Sequence, residues 1–229
     1  ACNCIQANSC FSSIGNGCLN CIICSPCSTL LNGLCQVICE SQYANLDNGC
    51  NNCILCSNAV TILNGCCNIS SQSLSSGYLS IQSTILNGAC NCVSGFESST
   101  LLSGSCNCLN DVGGFIAQGL CNIVCNIDFG FIQGICNEIQ FTASGYGKAE
   151  NHIVFGGNRN KILTSFSNYE ASRDIIFGGC SNLICEADCS MIASAKDSCI
   201  CSASGYLGKI KDSRSEEHTS ELQSRFGIS

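Results

Sequence analysis

One pattern of apolar and polar positions repeats along most of the chain. A large apolar residue lies three positions before a glycine, and another lies five positions after it, except that Ser70 takes this second place once. This spacing does not match the 3.6-residue period of a helix. It fits two short strands that each send one aliphatic side chain inward, with a tight corner between them. These glycines, spaced 15 or 16 residues apart with three longer intervals of 22 or 23, are Gly17, Gly33, Gly49, Gly65, Gly88, Gly104, Gly119, Gly134, Gly157 and Gly179.

A polar column accompanies the glycines. The third residue after each glycine is asparagine, except that Gln36 takes this place once. We expect each asparagine to hydrogen-bond its own corner and to stack on the asparagines of neighbouring coils, which would satisfy backbone groups at the bend. The predicted structural ladder consists of Asn20, Asn52, Asn68, Asn91, Asn107, Asn122, Asn137, Asn160 and Asn182.

The repeat predicts the fold class and the organisation of the chain. We expect an all-β protein, a parallel β-solenoid or β-roll of about 12 coils with a 15–16-residue repeat, in which each coil contacts mainly its neighbours. The pattern fills residues 1–213, which we interpret as a fragment of a longer array, truncated at both ends. Residues 214–229 break the pattern and resemble a translated sequencing-library adapter, so we predict that they are a non-native tail.

The chain contains 26 cysteines in 229 residues, and many recur at fixed positions of the repeat. One interpretation is covalent stapling between coils in an oxidising, extracellular setting, because equivalent Cα atoms on adjacent coils fall within the span of a disulfide. The other is that cysteine stays reduced as a small apolar filler. The column that we single out as candidate disulfides contains Cys35, Cys67, Cys90, Cys106, Cys121 and Cys136.

Composition argues against several functional classes. The run of cysteines at 18, 21, 24 and 27 has a spacing that metal sites use, but its intervening residues obey the repeat, so we predict no metal site and no cofactor. Residues 1–213 hold a single histidine, His152, and no facing pair of carboxylates, so we predict no enzyme. The net charge is −7 and residues 1–147 contain no Lys or Arg. We therefore expect neither nucleic-acid binding nor, without long apolar runs, membrane insertion of this fragment.

The sharpest part of the repeat, Ile-Ile-Phe-Gly-Gly-Cys-Ser-Asn-Leu-Ile at residues 175–184, resembles head repeats of trimeric autotransporter adhesins and related repeats of phage and viral tail fibres. The resemblance implies a β-roll fibre on a cell surface or virion, with three chains side by side. It thus implies a homotrimer and a glycan or cell-surface receptor as partner. The coils here are longer than those of adhesin heads, and the cysteine density is foreign to that family.

A structural or adhesive fibre segment for host or receptor attachment is the function that this pattern favours. Ser-Gly-Tyr occurs at one phase of three units, two of which are seven residues longer. It marks either ligand-contact loops, with Tyr78, Tyr146 and Tyr206 as candidates, or elongated corners. Two other classes remain open: a cysteine-rich metal-binding protein, and an ice-binding solenoid. The second rests on a broken threonine column that contains Thr29, Thr61, Thr84 and Thr100.

Overall fold

The computed structural model describes residues 3–71, 80–81, 83–94, 99–110, 114–125, 129–141, 151–164, 173–185, 190–201 and 214–216. The chain divides into two units, residues 1–121 and 122–229. Each unit is a parallel β-solenoid, as the repeat predicts, and within the described ranges all regular structure is β-strand. We name the two sheets of a unit by their place in the coil: strands of the pre-glycine sheet begin before the turn glycine, and strands of the post-glycine sheet follow it.

In the first unit each sheet has seven strands, ordered along the chain. The post-glycine sheet contains β1 (Cys4–Gln6), β3 (Cys21–Ile23), β5 (Val37–Cys39), β7 (Cys53–Leu55), β10 (Ile69–Ser71), β13 (Cys92–Ser94) and β15 (Cys108–Asn110). The pre-glycine sheet contains β2 (Ser13–Ile14), β4 (Thr29–Leu30), β6 (Asn45–Leu46), β9 (Thr61–Ile62), β12 (Ser83–Ile85), β14 (Ser99–Ser105) and β16 (Gly114–Leu120). A separate parallel pair joins β8 (Ser57–Asn58) to β11 (Ser80–Ile81).

The second unit has five strands in each sheet. Its post-glycine sheet contains β17 (Ile123–Cys125), β19 (Glu138–Phe141), β21 (Lys161–Thr164), β23 (Leu183–Cys185) and β25 (Cys199–Cys201). Its pre-glycine sheet contains β18 (Gly130–Ile135), β20 (His152–Asn158), β22 (Ile175–Phe177), β24 (Met191–Ala193) and β26 (Arg214–Glu216). The strand β26 belongs to the predicted non-native tail, and it pairs in parallel with β24, Arg214 lying opposite Met191.

Neighbouring coils stack in register, so that equivalent inward residues face each other, and these are apolar except where Ser70 lies between Ile54 and Val93. Ile22 pairs with Ile38, and Ile38 pairs with Ile54. Because side chains alternate across a strand, the one apolar residue at each of these positions points inward and is fully buried. The aliphatic side chains that have no exposed area include Ile22, Leu30, Ile38, Ile54, Ile62, Ile85, Leu101, Leu109, Ile116, Ile139, Val154, Ile162, Ile176 and Ile184.

The coil that contains Gly134 departs from the predicted spacing. The pattern places Phe131 in the core, three residues before the glycine, but the buried residue is Ile132. Phe131 is half-buried and stacks on Phe155 of the next coil, with ring centroids 5.8 Å apart. The pairing of β18 with β20 shifts by one residue between Gln133 and Ile135, so the expected register was wrong for this coil. A one-residue shift exchanges the two faces of a strand.

Candidate functional site

The asparagine column forms the most regular polar arrangement in the structure, at the corner after each turn glycine. Asn68 illustrates it. Its Nδ2 donates to the carbonyl oxygen of Gly88 in the next coil at 3.0 Å, and its Oδ1 accepts the backbone N–H of Asn91 at 3.1 Å. Nδ2 also donates to Oδ1 of Asn52 in the preceding coil at 3.1 Å. One fully buried amide therefore ties three successive coils together.

The contact to the backbone recurs at each step that is described within one unit, except the step from Gln36 to Asn52. The backbone N–H of the later residue donates to Oδ1 of the earlier asparagine over 2.9–3.1 Å. The accepting asparagines are Asn3, Asn20, Asn52, Asn68, Asn91, Asn122, Asn137, Asn160 and Asn182. These side chains satisfy the backbone at a bend where neither sheet supplies a partner, which is a structural role.

Gln36 interrupts this ladder. Its Nε2 reaches the carbonyl oxygens of Asn32 and Gly49, at 3.0 and 3.1 Å, but its buried Oε1 has no hydrogen-bond partner. The extra methylene of glutamine moves the carbonyl away from the position that Oδ1 of asparagine occupies in other coils. A buried acceptor without a donor is costly.

We expect Gln36→Asn to stabilise the protein by about 1–2 kcal/mol, because Oδ1 would accept the backbone N–H of Asn52. The measurement is the free energy of unfolding in denaturant. The reciprocal change Asn52→Gln serves as the control and should cost a similar amount. An unchanged or lower stability of Gln36→Asn would show that this step of the ladder contributes nothing.

Two buried serine columns in the first unit escaped the sequence analysis. The hydroxyl oxygens of Ser9, Ser25 and Ser41 accept the backbone N–H of Ser25, Ser41 and Ser57, respectively, over 3.0–3.1 Å. A second column repeats this arrangement with Ser12 and Ser28 as acceptors. The signal was present in the sequence as serine at exact 16-residue intervals, but serine is frequent enough elsewhere in the chain to hide it.

The predicted disulfide column lies at a left-handed corner. All six of its cysteines have positive φ, between 53° and 57°, an uncommon conformation for a residue other than glycine. Cys90, Cys106, Cys121 and Cys136 are exposed there. No disulfide is present among the cysteines that the structure describes, so stapling through this column stays a prediction.

One cysteine of the post-glycine sheet stands out chemically. Cys92 lies directly opposite Cys108 on the next coil, and a hydrogen bond with the Cys108 thiol lowers the pKa of Cys92 to about 7. Since the thiolate is the reactive form of cysteine, this lowering of the pKa favours the reactive form of Cys92.

His152 and Asp174 form a buried polar pair in the second unit. His152 begins β20 and Asp174 immediately precedes β22 on the next coil; both are fully buried, with His152 Nδ1 3.5 Å from Asp174 Oδ2. Asp174 Oδ1 accepts the backbone N–H of Ser190 in the following coil at 3.0 Å. Burial lowers the pKa of His152 to about 4, so the imidazole is neutral at pH 7.

This burial predicts a loss of stability in mild acid. Between pH 6.5 and 4 the unfolded chain binds a proton at His152 and the native protein does not, so the stability is complete above pH 6.5 and decreases towards pH 4. We expect about 3 kcal/mol to be lost over this range, measured as the free energy of unfolding against pH.

The control is His152→Ser, because Ser190 occupies the same inward column two coils later. The variant should lack this part of the pH dependence while other titrating groups keep theirs. Identical pH profiles for the variant and the parent protein would contradict the assignment.

The described ranges show no cluster of metal ligands. Within them no group of three or more His, Cys, Asp or Glu residues is arranged to hold a metal ion. The cysteines at 18, 21, 24 and 27 occupy different positions around one coil, from a bridge residue through the strand β3 to a left-handed corner. Tyr78, Tyr146 and Tyr206 lie outside the described residues. The described part of the chain contains no helix that is long and apolar enough to cross a membrane.

No protein-family model, curated protein or solved structure matches the chain.

Proposed function

We propose that the chain is a structural and adhesive fibre segment, acting outside the cell on a surface adhesin or on a viral or phage tail fibre. The observation that carries the proposal is that inward and outward positions of each coil have different roles. Inward positions hold the aliphatic core and the asparagine ladder, and they satisfy the backbone at the corners. Outward positions repeat in register but do not form the core or satisfy the corners. Their side chains can therefore vary to form a binding surface.

The outer face of the second unit supports a role in recognition. Phe155 and Phe177 are 50% and 43% exposed and contact each other, with ring centroids 6.2 Å apart. Phe131 extends this aromatic column on the other side of Phe155. Aromatic faces pack against the apolar faces of sugars, so the column suits a glycan of a cell-surface receptor. Tyr78, Tyr146 and Tyr206 stay predicted ligand contacts from the sequence alone.

Binding to an immobilised glycan array tests this proposal. We expect the labelled protein to bind a restricted set of glycans, and Phe155→Ser with Phe177→Ser, or Tyr146→Ala, to reduce that binding at least about tenfold. Leu55→Ser is the matched control, since Leu55 is exposed on the other sheet. Absence of binding to every glycan and to whole cells would overturn the adhesive part of the proposal.

The oligomeric state is tested separately. We propose a homotrimer, as the resemblance to adhesin heads implies, and sedimentation equilibrium should give about three times the chain mass of 24.0 kDa. A stable monomer at micromolar concentration would remove the trimer and leave the repeat surface unaffected. No active site is proposed, and the expected partners do not include nucleic acid.

A second candidate function rests on the outer face of the first unit. There the pre-glycine sheet aligns one column of small polar residues in register, and the column contains Ser13, Thr29, Asn45, Thr61, Thr84 and Thr100. A regular rank of threonines on a flat sheet suits ice binding. Thermal hysteresis tests this alternative: a clear freezing-point gap that Thr61→Leu abolishes would favour it, and no hysteresis would eliminate it.

A further inference from the structure

A cluster of five thiols follows one edge of the first unit, beside the turn glycines. Cys50 and Cys66 lie directly opposite each other in an isolated parallel bridge, and their Sγ atoms are 3.0 Å apart. The Cys66 Sγ is also 3.3 Å from that of Cys67. Cys90 and Cys106 occupy the same left-handed position as Cys67 on the next two coils. The five thiols thus lie at four successive corners.

We propose that this cluster is an oxidation site, at which Cys50 and Cys66 are joined into a disulfide between adjacent coils by a small-molecule disulfide such as oxidised glutathione. The bond links positions that the sequence analysis did not select, since its candidate column contains Cys67, Cys90 and Cys106. The inference goes beyond the proposed adhesive function and does not depend on it.

Backbone geometry distinguishes this pair from Cys66 and Cys67, the other two thiols of the cluster whose sulfurs are in contact. Partners in a parallel bridge have Cα atoms about 4.8 Å apart, within the disulfide range of roughly 4.4–6.8 Å. Cys66 and Cys67 are consecutive in the chain, and consecutive Cα atoms are only about 3.8 Å apart, so their close sulfurs are poorly placed to join. Cys50 and Cys66 therefore combine a sulfur–sulfur contact of 3.0 Å with a compatible backbone.

A small-molecule disulfide can reach the site, and it accepts the two electrons that the two thiols lose. Cys50 and Cys66 are half-buried, and the neighbouring Cys90 is exposed. Hydrogen bonds of the Cys66 thiol with Cys50, and then with Cys67, raise the pKa of Cys66 to about 12 and disfavour its thiolate, so we assign the first attack to the Cys50 sulfur. That attack breaks the S–S bond of the oxidant and forms a mixed disulfide. Attack by Cys66 then forms the Cys50–Cys66 bond, and the two protons leave on two small thiols.

The test is exposure of the folded protein to oxidised glutathione, followed by thiol blocking, digestion and mass spectrometry. Residues 1–147 lack Lys and Arg, but Leu55 and Leu63 let chymotrypsin separate Cys50 from Cys66. Since Cys53 would share a peptide with Cys50, the protein carries Cys53→Ser. We expect the two peptides to be linked, with a loss of about 2 Da, at least about tenfold more often in folded than in denatured protein.

Two matched variants locate the bond. Cys66→Ser should abolish the linked peptide, whereas Cys67→Ser, which changes the adjacent thiol, should retain it. Circular dichroism confirms that each variant keeps its strands. The proposal is overturned if folded protein gives no linkage, or if the linkage survives Cys66→Ser and disappears with Cys67→Ser.

Discussion

Gly157→Ala is expected to lower the free energy of unfolding of the second unit by at least about 4 kcal/mol. Single substitutions cause a loss of this size only when they create a severe steric clash or leave a buried polar group unpaired. A Cβ at this position would overlap the carbonyl oxygen of Gly179 in the next coil and the Nδ2 atom of Asn160. The carbonyl belongs to the backbone of a stacked coil and cannot move without opening the pairing between coils. The residue also has φ of +80°, which adds conformational strain to any L side chain.

The adjacent Gly156 provides a control for the strain alone. Its φ is +81°, but a Cβ there would meet no atom within 4 Å. Gly156→Ala should therefore cost only about 1–2 kcal/mol, the usual penalty of the left-handed conformation. Denaturant unfolding of the two variants separates the two effects. Equal losses would show that close stacking of coils at the glycine corner is not what requires glycine.

Asn68→Ala is expected to lower the free energy of unfolding of the first unit by about 4 kcal/mol. The change removes the amide that donates to Gly88 and leaves the backbone N–H of Asn91 without its 3.1 Å acceptor in a buried environment. Unfolding in denaturant again supplies the measurement. Loss of the Asn68 side chain should also accelerate hydrogen exchange at the Asn91 amide, because that amide becomes unprotected.

The matched control is Asn64→Ala, four residues earlier in the same corner. Asn64 has an exposed side chain, and its backbone N–H already donates to the carbonyl oxygen of Leu86. Its removal should change the stability by less than about 0.5 kcal/mol. If the two variants lost similar amounts, asparagine would be present at position 68 for local turn preference and not for bonds between coils.

The sequence indicated the fold because the coil repeats physical constraints at fixed positions. An inward aliphatic residue such as Ile38, a glycine at the corner and an asparagine after it each meet the same neighbours in every coil, so their spacing is visible as a period. The roles of Asn68 and its equivalents were predictable for the same reason. A bend leaves backbone groups unpaired, and a short amide at that place can bridge to the next coil.

Other features depend on contacts that spacing does not encode. The register shift at Gly134 follows from competition between Phe131 and Ile132 for one inward place, and both are large and apolar. The sequence also could not rank the cysteines, because several columns place thiols one coil apart. The Sγ atoms of Cys50 and Cys66 are in contact at 3.0 Å. Only the direction of the side chains distinguishes this pair from the predicted disulfide column.

Scalar couplings across hydrogen bonds test the central claim, that asparagine side chains join successive coils in register. In isotope-labelled protein the backbone ¹⁵N of Asn91 should couple to the side-chain ¹³Cγ of Asn68, and that of Asn160 to Asn137, since these pairs are hydrogen-bonded at 3.1 and 2.9 Å. Couplings between asparagines that are not one coil apart, or none at well-resolved amides of the folded protein, would contradict the in-register solenoid.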